Sequence, residues 1–550
     1  MMAQHYPVGI VGAGPVGLAL AARLASFGVP SVLFETNPGL RKQGSKACLI
    51  QGDVLEVLDK VDCAEPINTE GITWRVGHTY VRNKEIRRDV FAPRVGFGPF
   101  INISQYRIEQ VLVARVEAEP LCELQWSHQV ISLFQDQSGV DVIVQTPDGE
   151  QQTRCDYLVA CDGVRSGVRA ELAVNWTGYT HKDRFLITDI KAKLPLAKER
   201  HFHYDPIFNP GRQLVIHPQP DDIWRIDWQL PPDADIEAER SNGDFDRRVR
   251  KVIGDIPYEI DWISTYRFHQ RLVDRFVVGR VMFAGDAAHA LPPYGSRGMN
   301  SGIQDADNMA WKLSLILAGQ SGPGLLETYH TERYAAAEEN LRVTEATLRF
   351  MVPPNLLCRW RRSLMLAASQ RFGLVRDWVN SGRMAEPFSY RDSPIVDSTG
   401  GHPLIGTFAP DCEIWAGADQ TGTTRRRIRH FFGHRFVLLL AVNDMEQARW
   451  FANAAWTAIS LSPGKFPHLD VVVVLPETLS ANPLDGFTVL YEPTKAFRAE
   501  YRAHEPMWFL IRPDGHIAAV SRIGPQETLV DALAKTVCHT AAGRQEEVRV

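Results

Sequence analysis

Apolar residues recur along the first part of the chain in two rhythms, one typical of strands and one typical of helices. Residues 7–11 form an uninterrupted apolar run of strand length, and residues 31–34 form a second strand-like stretch that ends before Glu35. Between them Leu18, Ala21, Ala22 and Ala25 recur at helical spacing until Gly28. The pattern predicts a strand, a tight turn, a helix and a second strand, which together make a βαβ unit over residues 7–35.

The turn of this unit carries the spacing G-x-G-x-x-G at Gly12, Gly14 and Gly17. In such a turn the first glycine permits the bend, the second lets the backbone approach a pyrophosphate, and the third lets helix and strand touch. Pro15 suits a first helical turn whose amide groups face an anion. Glu35 ends the second strand, where a carboxylate accepts ribose hydroxyls and repels a 2′-phosphate, so the pattern favours FAD or NAD over NADP. The alternative is a plain βαβ turn.

Later segments add strand ends and helix starts where polar groups could meet a ligand. Ser104 is a capping-type residue that places Gln105 in the first turn of a helix. A predicted hairpin over residues 140–160 delivers Asp162 and Gly163 at a strand end. Near residue 283 a buried strand ends in Gly-Asp, and a glycine-rich loop opens the helix predicted over 303–317, which indicates a second anion site.

Residues 175–275 change character, because strands dominate and tryptophans gather, as expected of an inserted antiparallel sheet that forms a substrate domain. Alternation over residues 224–229 places Trp224 and Trp228 on one face and polar groups on the other. These indoles could form a wall of the substrate pocket or an ordinary sheet core.

The C-terminal part has its own order of elements after a glycine-rich linker at 400–403. Strands near 436, 469–475, 508–512 and 516–521, with helices over 446–458 and 529–537, predict a thioredoxin-like domain. It lacks C-x-x-C, so we expect it to be redox-silent and to serve packing or dimerisation.

Composition bounds the remaining possibilities. The chain has 550 residues, 45% of them hydrophobic, and a net charge of −5, which gives no pull toward nucleic acid. Its eight cysteines show no metal-ligand spacing, which argues for free thiols, no metal site and a reducing compartment. No apolar run reaches the ~20 residues of a transmembrane helix, so we expect a cytoplasmic enzyme without integral membrane association.

Together, the G-x-G-x-x-G start, the internal Asp-Gly strand end and the run G-D-A-A-H…P-P…G-M-N…D-A-x-N-x-A-W-K-L resemble the FAD-dependent single-component, or class A, aromatic hydroxylases. The similarity is nearest to the phenol and 3-(3-hydroxyphenyl)propionate hydroxylase branch. It implies an α/β fold: a Rossmann-like FAD-binding domain at 1–174 and 276–400, the substrate sheet at 175–275 and a thioredoxin-like domain at 401–550. The FAD-contacting residues that it implies are Gly12, Gly14, Pro15, Val16, Gly17, Glu35, Lys46, Gln105, Asp162, Gly163, Asp286, Pro293, Gly298, Met299 and Asn300.

Two positions depart from the family pattern. Lys46 stands where the family commonly has arginine, and Arg297 lies in a loop that is commonly Gly-Gln-Gly. A cation near the pyrimidine edge of the flavin would stabilise the negative charge of the reduced ring. The alternative is that Arg297 points to solvent.

The resemblance implies a monooxygenase that uses transiently bound NADPH or NADH, O2 and a flavin C4a-hydroperoxide to hydroxylate a small phenolic or related aromatic substrate. No second G-x-G-x-x-G exists, which fits a nicotinamide cofactor without its own Rossmann domain. Pro292 and Tyr294 are expected at the flavin side of the pocket, and His217 and Tyr294 are the candidate proton acceptors.

Two alternatives remain. A flavin-dependent halogenase is disfavoured because W-x-W-x-I-P is not matched at residues 224–231. A non-hydroxylating FAD-binding or regulatory flavoprotein, which could be a homodimer, is the other.

Overall fold

The computed structural model describes residues 4–41, 47–353, 355–376, 379, 386–416, 424–461, 468–476, 487–492, 494–524 and 527–538. Their helices are α1 (Pro15–Ser26), α2 (Gly52–Asp59), α3 (Ala64–Glu70), α4 (Gln105–Glu117), α5 (Gly167–Glu171), α6 (Ile236–Asn242), α7 (Asp244–Ile253), α8 (Arg297–Leu317), α9 (Leu325–Met351), α10 (Leu356–Ser369), α11 (Gly373–Arg376), α12 (Met445–Leu461), α13 (Ala496–Glu500) and α14 (Glu527–Thr536). Within this part of the chain, no helix is long and apolar enough to cross a membrane.

The strands in the same ranges are β1 (Gln4–Val11), β2 (Ser31–Glu35), β3 (Leu49–Gln51), β4 (Ile72–Trp74), β5 (Val76–Val81), β6 (Lys84–Val90), β7 (Phe100–Asn102), β8 (Cys122–Trp126), β9 (Gln129–Gln135), β10 (Val140–Thr146), β11 (Gly149–Ala160), β12 (Trp176–Lys191), β13 (Arg200–Tyr204), β14 (Gln213–Pro218), β15 (Ile223–Leu230), β16 (Glu259–Val273), β17 (Val277–Val278), β18 (Val281–Phe283), β19 (His289–Ala290), β20 (Glu413–Ala416), β21 (Thr424–Arg427), β22 (Phe436–Ala441), β23 (Leu469–Pro476), β24 (Thr488–Glu492), β25 (Met507–Ile511) and β26 (Ile517–Arg522).

The chain divides into two compact units. The first contains residues 1–22, 31–305 and 335–386, and the second contains residues 23–30, 306–334 and 387–550.

The βαβ unit that the sequence predicts is present at the centre of the first sheet, whose order is β17-β18-β11-β1-β2-β8. Strand β1 pairs in parallel with both β2 and β11. Gly12 has φ +100°, and a Cβ at Gly17 would lie 2.0 Å from the Gly12 carbonyl oxygen. Both positions therefore require glycine, one for backbone conformation and one for the close approach of helix and strand.

The inserted sheet that the sequence predicts is also present, with the order β19-β16-β12-β15-β14-β13-β5-β6. Strands β5 and β6 come from residues 76–90, outside the predicted range, and join through the parallel pairing of β5 with β13. One face of this sheet packs with Ile236 of α6 and with Phe245, Val249 and Ile253 of α7. The other face carries an aromatic cluster that includes Phe185, Phe202 and Phe268.

The second unit contains a sheet with the order β21-β20-β24-β23-β22-β25-β26. Its predicted strands and helices are confirmed as β22, α12, β23, β25, β26 and α14, and strands β20, β21 and β24 are additions to the sheet. Strands β22, β23 and β24 are parallel, whereas β25 and β26 are antiparallel. The second half of α8, the first part of α9 and the C-terminal region share a buried charge cluster within this unit. It consists of Lys312, Glu332, Arg512 and Asp514.

Candidate functional site

The first unit encloses a cavity of about 350 Å³ that is lined by six separate parts of the chain. They are the turn after β1, Ala47 and Cys48 before β3, Gln105 at the start of α4, the residues that follow β11, the stretch from residue 284 to 299, and strands of the inserted sheet. Residues predicted for the cofactor and residues of the predicted substrate domain therefore border one continuous space.

The glycine turn leaves room for a phosphate group. Gly14, Pro15 and Val16 line the cavity where α1 begins. A Cβ at Gly14 would have no atom within 4 Å, in contrast to the crowded Gly17. This open backbone at the start of a helix, where amide groups point toward the N-terminal end, fits the pyrophosphate of FAD.

Glu35 lies at the end of β2, beside the same turn. Its carboxylate accepts hydrogen bonds from the backbone amides of Ala13 and Asn37, each at 2.9 Å. These bonds hold an acidic group next to the turn, where the ribose hydroxyls of a dinucleotide would lie.

Asp286 supplies a second acidic group from another part of the chain. It is exposed between the buried Gly285 and Ala287, and it lines the cavity. The turn is fixed by Asp305, which accepts the Gly285 amide at 2.9 Å and approaches Nε2 of His289 at 2.6 Å. His289 is thus a buried structural partner, and the exposed Asp286 carboxylate fits the hydroxyl-rich ribityl chain of FAD.

The first turn of α8 completes this side of the cavity. Gly298 and Met299 line it together with Pro293 and Arg297. Arg297 is buried, and its guanidinium donates to the Asn340 side-chain oxygen, so the solvent alternative for this residue is wrong. A helix start with a buried cation suits the negative pole of a reduced flavin.

Of the other residues predicted to contact the cofactor, some line the cavity and others lie outside its lining. Gln105 and Gly163 line the cavity. Asp162 does not line it; its Oδ2 accepts the Val168 amide at 3.2 Å, and burial raises its pKa. Asn300 is also outside the lining, because its side chain bonds the backbone at Gln51, Leu49 and Ser296. Lys46 lies outside the described residues.

The assignment of Trp224 and Trp228 to the pocket wall is corrected. Both belong to the core between the inserted sheet and helices α6 and α7, and neither borders the cavity. Alternation along β15 does place them opposite the polar residues, as predicted, but the polar face is the one that meets the cavity. The sheet-core alternative is the one that the structure supports.

Tyr294 and Pro292 are corrected in the same way. Pro292 is buried away from the cavity lining. Tyr294 packs edge-on against Phe185 and Phe268, and its hydroxyl accepts a 3.0 Å hydrogen bond from Gln213. A proton acceptor must reach the ring, so Tyr294 is not placed for that role, whereas His217 does line the cavity.

A carboxylate that the sequence analysis did not single out lies beside His217. Asp227 lines the cavity, and its Oδ1 atom and the Nδ1 atom of His217 are buried without a hydrogen bond in the described part of the chain. The neighbouring Arg225 is held by Asp189 through two 2.7 Å bonds. The alternation in residues 224–229 was the available signal, because it places Arg225 and Asp227 together on the face opposite the tryptophans.

Burial sets the protonation of both cavity groups. It raises the pKa of Asp227 to about 7, against a lowering effect of Arg225 and a further raising effect of Asp189. Burial also lowers the pKa of His217 well below its usual value, and the cations Arg200 and Arg225 add to this effect. Near neutral pH the cavity therefore presents a neutral imidazole and a carboxyl close to its titration midpoint.

Comparison with known proteins extends these observations. Residues 5–344 match a family model described as FAD binding domain, and residues 402–539 match one described as aromatic-ring hydroxylase, C-terminal. The chain is 28% identical over 464 residues to a 3-(3-hydroxy-phenyl)propionate/3-hydroxycinnamic acid hydroxylase of Burkholderia vietnamiensis, which covers 82% of this chain and 83% of the relative. It is 29% identical over 531 residues to a 12-dehydrotetracycline 5-monooxygenase/anhydrotetracycline 6-monooxygenase of Streptomyces rimosus, with coverage of 94% and 95%.

A solved structure supports the fold over nearly the whole length. The flavin-dependent monooxygenase PieE, in complex with FAD and substrate, superposes with a TM-score of 0.81 at 22% identity and covers 98% of this chain and 99% of that one. The hydroxylase matches also favour oxygen transfer over the halogenase and regulatory alternatives. The chain belongs to the FAD-dependent aromatic-ring hydroxylases, the class A flavin monooxygenases.

Proposed function

We propose that this monooxygenase hydroxylates a phenolic ring, with NADPH or NADH as the electron donor and O2 as the oxygen source. The proposal rests on the observation that one cavity is lined by the glycine turn, Asp286 and the polar side chains of His217 and Asp227. A ring held between these groups would lie next to the flavin with its hydroxyl toward a proton-accepting wall.

When bound, FAD accepts hydride from the nicotinamide and delivers an activated oxygen atom from O2. The protein has the remaining tasks of binding the cofactor, orienting the ring, excluding water and moving a proton. The turn at Gly14 and the start of α1 would hold the pyrophosphate, Glu35 and Asp286 the hydroxyls of the two sugar parts, and Met299 the ring system.

The substrate side of the cavity combines apolar and polar walls. Ile187, Tyr266 and Phe268 of the inserted sheet provide surface for an aromatic ring and keep water from the reacting atoms. His217 and Asp227 form the polar wall. Because its imidazole is neutral, His217 can donate a hydrogen bond to a ring substituent or accept one from it while remaining uncharged.

The named relatives support the phenolic class. One is named for a hydroxyphenyl propionate and the other for tetracycline precursors. Their substrates differ in size, so the shared chemistry that we carry over is hydroxylation of an aromatic compound. The nicotinamide donor follows from the same family, and the single G-x-G-x-x-G of the sequence is consistent with transient docking.

We also propose that the C-terminal region is thioredoxin-like. The order β24-β23-β22-β25-β26, with three parallel strands, an antiparallel pair and α12 between β22 and β23, supports this assignment. Without C-x-x-C, its role would be packing or homodimer formation rather than redox chemistry. A cytoplasmic location fits the eight free thiols.

Steady-state turnover tests the proposal. The purified FAD-bound protein is mixed with NADPH or NADH and with phenol, resorcinol, 1-naphthol or 3-(3-hydroxyphenyl)propionate, while oxygen uptake, peroxide and hydroxylated product are measured. We expect at least one phenol to stimulate NAD(P)H oxidation and to yield product, with its methyl ether as the inactive control. Stimulated oxidation that gives only peroxide with every phenol would contradict the proposal.

A further inference from the structure

On the basis of the proposed function, we infer that Asp227 is the catalytic base that accepts the phenolic proton of the bound ring. The inference rests on the position of its carboxyl group, which lines the same cavity as Gly298 and Met299 of the flavin side. It also rests on the buried Oδ1 atom, which makes no hydrogen bond within the described residues. A buried acceptor without a partner is costly unless a ligand supplies the donor.

The register of the inserted sheet explains how Asp227 reaches the cavity. In β15 it pairs with Ile187 of β12 and with Val215 of β14, so these side chains share the cavity face. His217 pairs with Arg225, which makes it a diagonal neighbour of Asp227, about 7–8 Å away between Cα atoms in a regular sheet. One phenolic hydroxyl can therefore approach Asp227 while a second ring substituent meets His217.

The charged and titratable groups around Asp227 leave its carboxyl available as a base. Arg225, on the same strand, is already paired with Asp189 of β12. From the other packed elements, His217, Tyr266 and Cys48 also line the cavity. Burial holds the imidazole neutral and raises the pKa of both the Tyr266 hydroxyl and the Cys48 thiol, so none of these three competes for the proton near pH 8.

With these groups in place, the proton transfer is simple to write. The phenolic O–H bond breaks, an O–H bond forms on the Asp227 carboxylate, and the electron pair stays on the ring oxygen. This pair makes the ortho and para carbons more nucleophilic toward the activated oxygen. When the ring becomes aromatic again, the ring carbon releases its proton to water and the ring oxygen takes back the proton of Asp227. A carboxyl whose pKa lies near 7 is better matched to this transfer than an ordinary aspartate.

The test compares Asp227→Asn with the unaltered holoenzyme over pH 6 to 9, using the panel phenol that gives the highest product yield. We expect the product-forming rate of the unaltered enzyme to fall about tenfold per pH unit below pH 7. In Asp227→Asn we expect product to fall by about 100-fold or more at pH 8. NAD(P)H oxidation should continue in this variant, with peroxide replacing product, because the flavin side is unchanged.

A substrate that arrives ionised separates a proton-accepting role from a structural one. Ring fluorination lowers the pKa of a phenol, so the fluorinated analogue of the same phenol is largely phenolate at pH 9. Asp227→Asn should hydroxylate this analogue to within about tenfold of the unaltered enzyme. Asp227→Glu, which keeps the carboxyl, should retain the fall below pH 7 even if the asparagine variant does not fold. Asp221→Asn, the same change at an exposed position before β15, is the matched control and should stay within twofold.

Each outcome decides a separate question. If the unaltered enzyme makes no product from any phenol, the proposed function fails and the inference fails with it. If the unaltered enzyme is active but Asp227→Asn keeps its yield and pH profile, only the inference fails. The inference also fails if the variant loses both substrates equally, since that result indicates a structural role.

Discussion

A base that titrates near neutral pH should cost the protein stability, and Asp227 allows that cost to be measured. The folded-state pKa of about 7 lies above the usual aspartate value of 3.8. Between these values the folded protein binds more protons than the unfolded chain, so this carboxyl makes unfolding easier as pH rises through the window. Above about pH 8 the penalty is constant, and below about pH 4 it is absent.

The magnitude follows from the difference in pKa. Three pKa units at 1.36 kcal/mol each correspond to ~4 kcal/mol at pH 8 if the carboxyl were fully dry. Asp227 lines a cavity that water can enter, so we discount this value to about 2 kcal/mol. Asp227→Asn cannot ionise, and the variant should therefore be about 2 kcal/mol more stable than the unaltered protein at pH 8, with a smaller difference at pH 5.

Urea unfolding of the FAD-bound protein without substrate at pH 5, 6.5 and 8 measures this difference. Asp221→Asn, on the exposed turn, should change the free energy of unfolding by less than 0.5 kcal/mol at each pH. Equal stability of Asp227→Asn and the unaltered protein at pH 8, or a gain that does not depend on pH, would refute the burial argument.

Three further predictions concern the cofactor site, the core that contains Trp228, and the buried charge cluster of the second unit. Gly14→Val should fold normally but purify without FAD, because its added atoms enter the open space proposed for the pyrophosphate, whereas Gly17→Ala should destabilise the fold itself. Flavin absorbance and thermal unfolding distinguish the two variants, and full FAD content in Gly14→Val would contradict the proposed pyrophosphate site. Trp228→Ala should cost about 3–5 kcal/mol of unfolding free energy yet leave the ratio of product to peroxide unchanged, since the indole is buried away from the cavity; increased peroxide would place it at the pocket after all. Glu332→Ala should cost about 3–5 kcal/mol because it removes the carboxylate that pairs with the buried Lys312 and leaves Asp514 to pair with the buried Arg512. Glu338→Ala on the exposed face of α9 should cost less than 0.5 kcal/mol, and similar calorimetric losses for the two variants would argue against the cluster.

Local features of the fold could be predicted from the sequence, because short-range chemistry decides them. Gly12, Gly14 and Gly17 define the turn, and Ser104 caps α4 by accepting the Arg107 amide, as its residue type indicated. In the same way, the Gly-Asp end of a buried strand indicated Asp286, which the structure places in the cavity lining.

Features that depend on distant pairing could not be predicted. Alternation tells which residues of a strand share a face, but not which face meets the ligand, so Trp224 and Trp228 were assigned to the wrong side. The sequence of α7 contained a signal that would have corrected this assignment. Phe245, Val249 and Ile253 form an apolar stripe that must pack against a sheet face, and the face with Trp224 and Trp228 is the one it covers. The pairing of β5 with β13 joins segments that are far apart in the chain, and no local pattern announces it.

The continuous helix α8 has a consequence for how this protein can be divided. Its first turn borders the cavity, whereas its second half belongs to the unit that contains the C-terminal sheet. A fragment cut at the boundary of the C-terminal family match would begin at residue 402 and would carry Arg512 and Asp514 without Lys312 and Glu332. Recombination or truncation at that point would therefore separate buried charges from their partners. A fragment that keeps these pairs must also include residues 306–334. The C-terminal family match, residues 402–539, therefore has different boundaries from the compact unit in which it folds.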